Sequence, residues 1–110
     1  MSSHPANLPE PPYYAVIFSS RRNGLDAEGY KAMSDEMEAL GAEMPGFLGI
    51  ESVRDADGNG ITVSYWRDLE SIREWGRHPA HLEAQRIGRE QWYDTYEVRT
   101  ARVERASGLG

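Results

Sequence analysis

The segment Tyr13 to Ser20, YYAVIFSS, constrains the fold more than any other stretch of this chain. It is a compact apolar run, rich in β-branched and aromatic residues and too short for a helix, so it reads as a buried strand. Side chains alternate across a strand. Tyr14, Val16 and Phe18 therefore share one face, and Ala15 and Ile17 share the other. A second segment, Ile61 to Trp66, behaves the same way, with Ile61, Val63 and Tyr65 opposed by Trp66. A sheet with one wet face alternates apolar and polar. Strands that are apolar on both sides need cover on both.

The rest of the chain supplies cover for one side. Arg21 to Leu25 turns the chain at Asn23-Gly24. Asp26 can cap a helix, along which Tyr30, Met33, Met37, Leu40 and Met44 keep helical spacing until Pro45-Gly46 stops it. Three methionines on one stripe read as soft core packing rather than as a cofactor box. Phe47 to Arg54 is a strand, and DADGNG turns it back into Ile61 to Trp66, because Asp, Asn and Gly tolerate positive φ. The loop lacks the late bidentate Glu of a calcium-binding loop, and strands rather than helices flank it. Asp68 opens a second helix with Leu69, Ile72 and Trp75 on one side. His78-Pro79 interrupts it, and a third helix runs from Pro79 to about Gln91. Trp92 to Glu104 is a long last strand.

The order β-α-β-β-α(α)-β is the ferredoxin-like pattern of an α+β sandwich. Its helices can cover only one face of a four-stranded sheet. A second copy of the same sheet is the economical cover for the other, so the expectation is a homodimer, a dimeric α+β barrel. Residues 13–104 form the domain. Residues 1–12, with four prolines, read as a flexible arm, and residues 105–110 as a frayed tail.

Composition narrows the chemistry. The chain has 110 residues and no cysteine, which excludes disulfides, thiolate metal sites and cysteine nucleophiles. A net charge of −6 argues against nucleic acid as the main partner. No apolar run reaches membrane-spanning length, and the start resembles no signal peptide, so a cytoplasmic setting is expected.

The stretches GFLGIESVRDADGNGITVSYW and DLESIREWGRHPAHLEAQRIGREQWY resemble the antibiotic biosynthesis monooxygenase (ABM) family. The PGF-LG entry to one strand, the YW close of the next, and the helical Trp and His recur there, and the resemblance spans Tyr13 to Glu104. It implies a dimeric α+β barrel with a pocket between each sheet and its own helices. It also implies membership of a group that includes cofactor-free oxygenases of polycyclic aromatic substrates, haem-degrading enzymes and proteins without an assigned reaction. The haem-degrading branch uses an Asn on the first strand, a Trp and a His. Trp75 is similar in position to the Trp. The first strand has no Asn, and Gln85 stands where the His is expected. Gln does not usually ligate haem iron.

His81 and Trp75 are the candidate catalytic residues. His81 titrates near working pH and could move a proton. Phe18, Tyr65, Trp66 and Gln85 are candidate pocket residues for a flat apolar ligand. His78 and His81 could also be read as metal ligands, but Pro79 and the lack of a nearby third ligand favour His78 as a cap. Among the arginines, Arg73, Arg77, Arg86 and Arg89 suit surface ion pairs. Arg99 and Arg102 lie on opposite strand faces, so at most one can face the pocket and hold a substrate enolate or carboxylate. The functional expectation is a cofactor-independent monooxygenase of a small aromatic substrate, needing no metal, flavin or nicotinamide. The alternatives are a small-ligand or haem-binding dimer, and a purely structural dimer.

Overall fold

The computed structural model describes residues 5–109. Four strands and three α-helices follow in the order β1 (Tyr13–Arg22), α1 (Ala27–Ala42), β2 (Phe47–Arg54), β3 (Asn59–Trp66), α2 (Leu69–Arg77), α3 (Pro79–Ile87) and β4 (Tyr93–Val103). The strands form one antiparallel sheet in the order β2-β3-β1-β4. This is the ferredoxin-like α+β fold. No helix among the described residues is long and apolar enough to cross a membrane.

The two-faced character of β1 and β3 is realised in the register. Val16 lies opposite Ser64 and Thr100, and Phe18 opposite Thr62 and Val98, on the face that the helices cover. Ala15 faces Tyr65 and Ala101, and Ile17 faces Val63 and Arg99, on the other side. Among the described residues no helix lies over that outer face. Val53 and Ile61, paired there across β2 and β3, are 64% and 50% exposed. Ala6 donates its N–H to Glu51 at 2.9 Å, and Leu8 rests against Gly49, so residues 5–12 lie along one side of this face. Tyr65 donates to the same Glu51 carboxylate at 2.5 Å.

Local chemistry sets the element ends. Asp26 takes a left-handed conformation and accepts the N–H of Gly29, capping α1. Asp68 accepts the N–H of Ser71 at 2.8 Å and caps α2. His78 Nδ1 accepts the N–H of Ala80 at 3.1 Å and caps α3, with Pro79 in the first turn. In the hairpin, Asp55 accepts the backbone N–H groups of Asp57 and Asn59. These bonds hold its carboxyl below the ordinary range. The Asp-rich loop is thus a self-bonded turn, and no group of three or more metal-ligating side chains occurs among the described residues.

One helix differs from expectation. The run expected as α-helix to Gln91 leaves α geometry at Gly88, and Gly88–Trp92 forms a wider π-helical turn. A Cβ at position 88 would stand 2.9 Å from the Tyr93 ring, so the glycine lets that ring lie against the turn. The wide turn delivers the buried Trp92 and the neighbouring Tyr93 to one end of the space between sheet and helices.

Candidate functional site

Between the inner sheet face and the helices lies a cavity of about 360 Å³. Val16, Phe18, Trp66 and Val98 make its floor, and Met33, Met37, Ile72 and Trp75 make its roof. The volume suits a small, mostly apolar ligand. Gln85, Val98 and Thr100 line the cavity while exposed to solvent, which marks the open side along β4.

The sequence-derived candidates divide cleanly. Phe18, Trp66, Trp75, His81 and Gln85 all line this cavity. Tyr65 does not. It pairs with Ala15 on the outer face and stacks edge-on with Tyr13 there. Its placement in the pocket is corrected by strand alternation, since a neighbour of the inward Trp66 must point the other way. Trp66 is 1% exposed, donates its indole N–H to Ser64 at 2.9 Å and packs edge-on against Phe47. It is a fixed wall.

Trp75 and His81 form one unit. Their rings stack 4.5 Å apart at an angle of 9°. Gly41 of α1 faces the indole, and a Cβ there would stand 3.4 Å from the ring, in ordinary contact. His81 Nδ1 lies 3.0 Å from the Trp75 carbonyl. A carbonyl can only accept, so Nδ1 carries the proton and Nε2 keeps a lone pair. Nε2 has no hydrogen-bond partner among the described residues. Burial lowers the His81 pKa, the Trp75 hydrogen bond opposes that change, and nearby His78 adds a smaller lowering. His81 is therefore a neutral imidazole with one fixed tautomer and a free basic nitrogen. The Trp75 indole N–H also lacks a partner among the described residues.

At the other end the cavity wall is aromatic and hydroxylic. Tyr30 and Tyr93 meet edge-on, and the Tyr93 hydroxyl donates to that of Tyr30 at 3.3 Å. Burial, followed by its contact with Tyr30, pushes the Tyr93 pKa upward, so it stays protonated. Behind them sit Arg22 and Arg54. Arg22 is buried, bonds the carbonyls of Leu25 and Trp92, and lies 3.9 Å from the Tyr30 ring centre. Arg54 bonds Gly58 and Ser20 and reaches the Tyr30 hydroxyl at 3.4 Å. Gly60 permits this, because a Cβ there would meet the Arg54 guanidinium at 2.6 Å.

Arg22 and Arg54, which the sequence reading passed over, back the cavity wall through Trp92 and Tyr30; like Arg99 and Arg102, neither lines the cavity itself. The available signal was parity, since Arg54 continues the inward series of Ile50 and Ser52. The surface ion-pair reading holds for three of the four helical arginines: Arg73 pairs with Glu70 at 3.2 Å, Arg77 with Glu70 and Glu74, and Arg86 with Glu83 and Glu90.

Fold and cavity define a class, the ferredoxin-like α+β domains that wall off a ligand-sized apolar chamber between sheet and helices. The chain belongs to the antibiotic biosynthesis monooxygenase family, whose profile matches residues 12–87. It is 54% identical over 100 residues to the uncharacterized protein YqjZ of Bacillus subtilis, covering 91% of this chain and 87% of that one. It is 29% identical over 94 residues to the jasmonate monooxygenase ABM of Pyricularia oryzae, covering 82% of this chain and 43% of that protein. Among solved structures, SnoaB of Streptomyces nogalater, a cofactor-independent oxygenase, superposes with a TM-score of 0.73 at 18% identity, covering 87% and 97% of the two chains. A dimeric ferredoxin-like protein of unknown function from Thermobifida fusca superposes at 0.69 with 16% identity, covering 91% and 100%.

Proposed function

We propose that this family member is a cofactor-independent monooxygenase whose substrate is a small aromatic or polycyclic molecule held in the sheet–helix cavity. The observation that carries the reading is His81: a neutral imidazole on the cavity wall, its tautomer fixed by the Trp75 carbonyl and its Nε2 free to accept a proton. Apolar walls hold the flat ring system. His81 Nε2 takes a proton from an acidic methylene or hydroxyl of the substrate. The resulting carbanion or phenolate supplies electrons to O2. For a methylene the balance closes without another reductant: CH2 and O2 give C=O and H2O, with the substrate providing all four electrons. Trp75 positions the base by stacking, and its indole N–H can hold an oxygen of the substrate or of the peroxide.

The uncovered outer face, with Val53 and Ile61 exposed, supports a homodimer in which a second sheet packs there. The second reading, a pocket that sequesters a ligand such as haem without reaction, draws on the same free Nε2.

The test is oxygen uptake on incubating the protein with anthrone- and quinol-type compounds, in wild type, Trp75→Phe and His81→Gln. The proposal expects uptake with at least one compound, lost in His81→Gln. Uptake that is equal in all three proteins would refute the residue assignment. No uptake, together with a Soret band on adding haem, would favour the second reading.

A further inference from the structure

The end of the cavity away from His81 carries a second recognition element. The Tyr30 hydroxyl accepts from Arg54 at 3.4 Å and from Tyr93 at 3.3 Å. A phenol oxygen has two lone pairs and one proton. Both lone pairs are engaged, and the proton has no acceptor among the described residues. Tyr30 lines the cavity, so this is a hydrogen-bond donor available to a ligand. Donation from Arg54 and Tyr93 polarises the O–H bond and strengthens what it can give.

The charge around it has one sign. Arg22 covers the Tyr30 ring and Arg54 stands 5.8 Å from its centre. Neither guanidinium has a carboxylate within ion-pair distance among the described residues; their bonds go to backbone carbonyls, Asn23, Ser20 and Tyr30. Arg54 Nε is buried with no partner among the described residues. The acid in contact with this corner, Asp26, spends its carboxylate on the Gly29 N–H and the Trp92 indole. Tyr30 also sits near the positive N-terminal end of α1. In a half-buried site this arrangement favours negative charge on whatever Tyr30 touches.

The acid that lines the cavity, Glu38, lies about two turns farther along α1 than Tyr30. The Trp75–His81 pair packs at Gly41, about three turns or ~16 Å from Tyr30. The cavity therefore has a basic nitrogen toward one end, an oxygen-directed donor backed by two cations at the other, and apolar walls between.

We propose that Tyr30 anchors an acidic oxygen, a carboxylate or phenolate, at one end of an elongated aromatic ligand whose other end lies beside His81. This takes the cavity as the ligand site, as in the reading above, but concerns recognition and not oxygen chemistry. Arg54, Arg22 and Tyr93 act through Tyr30 as positioning residues.

The experiment is equilibrium binding by fluorescence anisotropy, with anthracene-2-carboxylate against its methyl ester and 2-hydroxyanthracene against 2-methoxyanthracene. Wild type is expected to bind at least one acidic probe about tenfold more tightly than its capped partner, and the pair that shows the preference identifies the oxygen as carboxylate or phenol. Tyr30→Phe should abolish that preference while leaving the capped probe within about twofold. Tyr93→Phe, which removes one of the two donors to Tyr30, should reduce the preference by about threefold and serves if Tyr30→Phe does not fold. The proposal is overturned if wild type prefers neither acidic probe. It is equally overturned if Tyr30→Phe weakens acid and capped forms alike, or if Tyr93→Phe leaves the preference unchanged. Binding is read without turnover, so failure here leaves the role of His81 standing, and failure of oxygen uptake leaves this one standing.

Discussion

Gly46→Ala should be among the most damaging single-methyl changes in this protein. Gly46 has φ +86°, a conformation that costs an L-residue about 1–2 kcal/mol. Space is the second difficulty. A Cβ at position 46 would stand 2.0 Å from the Ser71 hydroxyl oxygen and 2.5 Å from the Ser71 Cβ. Ser71 is buried on α2, whose first turn is pinned by the Asp68 cap, and the Gly46 carbonyl accepts the Arg67 N–H at 2.7 Å. Neither side can retreat without moving the other, so overpacking adds roughly 1–3 kcal/mol. The expected loss is about 2–5 kcal/mol, a large part of the ~5–15 kcal/mol that holds a domain of this size. Urea denaturation of Gly46→Ala, Ser71→Gly and the double variant separates the two causes. Ser71→Gly opens the space that the new methyl needs, so the double variant should recover the steric part and keep the backbone part. A single-variant loss below about 1 kcal/mol, or purely additive effects, would refute this reasoning. α2 carries Trp75, so the near-ultraviolet circular dichroism of Gly46→Ala should also report a disturbed indole.

His81 gives a pH prediction with a definite sign. Its folded pKa is depressed by burial below the ordinary value of 6.5. The neutral base therefore persists below pH 6.5, and kcat/KM should be flat above that and decline on the acid side; His81→Gln should lose that limb together with about 10²–10⁴ of the rate. The same depression makes the unfolded chain bind the proton first, so the stability it contributes is full above pH 6.5 and is lost as pH falls toward the folded value. Wild type should accordingly lose more stability than His81→Gln between pH 7 and 5, measured by urea midpoints. On the outer face, Ile61→Glu places a charge where a second sheet is expected. Sedimentation equilibrium should give about twice 12.4 kDa for wild type and 12.4 kDa for the variant; a wild-type particle of 12.4 kDa would contradict the dimer.

The parts of the fold legible in the sequence were those with a local physical cause. Asp26, Asp68 and His78-Pro79 announced helix starts, DADGNG announced the hairpin, and the apolar run of β1 announced a strand. The half of the cavity around Trp75 and His81 was legible because both sit in one short helical stretch. The other half was not. Arg22, Tyr30, Arg54 and Tyr93 come from four separate elements, and only the sheet register and the π-helical turn bring them together. That turn is closed by the Tyr93 N–H bonding the Gly88 carbonyl, with the Tyr93 ring against Gly88, a contact that the helical periodicity of the stretch did not announce. Tyr65 was misplaced for a simpler reason: aromatic character was weighed ahead of strand parity.

The central claim is that the cavity runs oxygen chemistry with protein side chains and substrate electrons alone. The most direct measurement is incubation of the purified protein, dialysed against chelator and free of visible absorbance, with the acidic aromatic panel under ¹⁸O2. Mass spectrometry should find one ¹⁸O atom in the product and the other in water, with no product under argon and none with His81→Gln. Product that forms without oxygen, that takes its oxygen from water, or that appears only after a metal or flavin is added would contradict it.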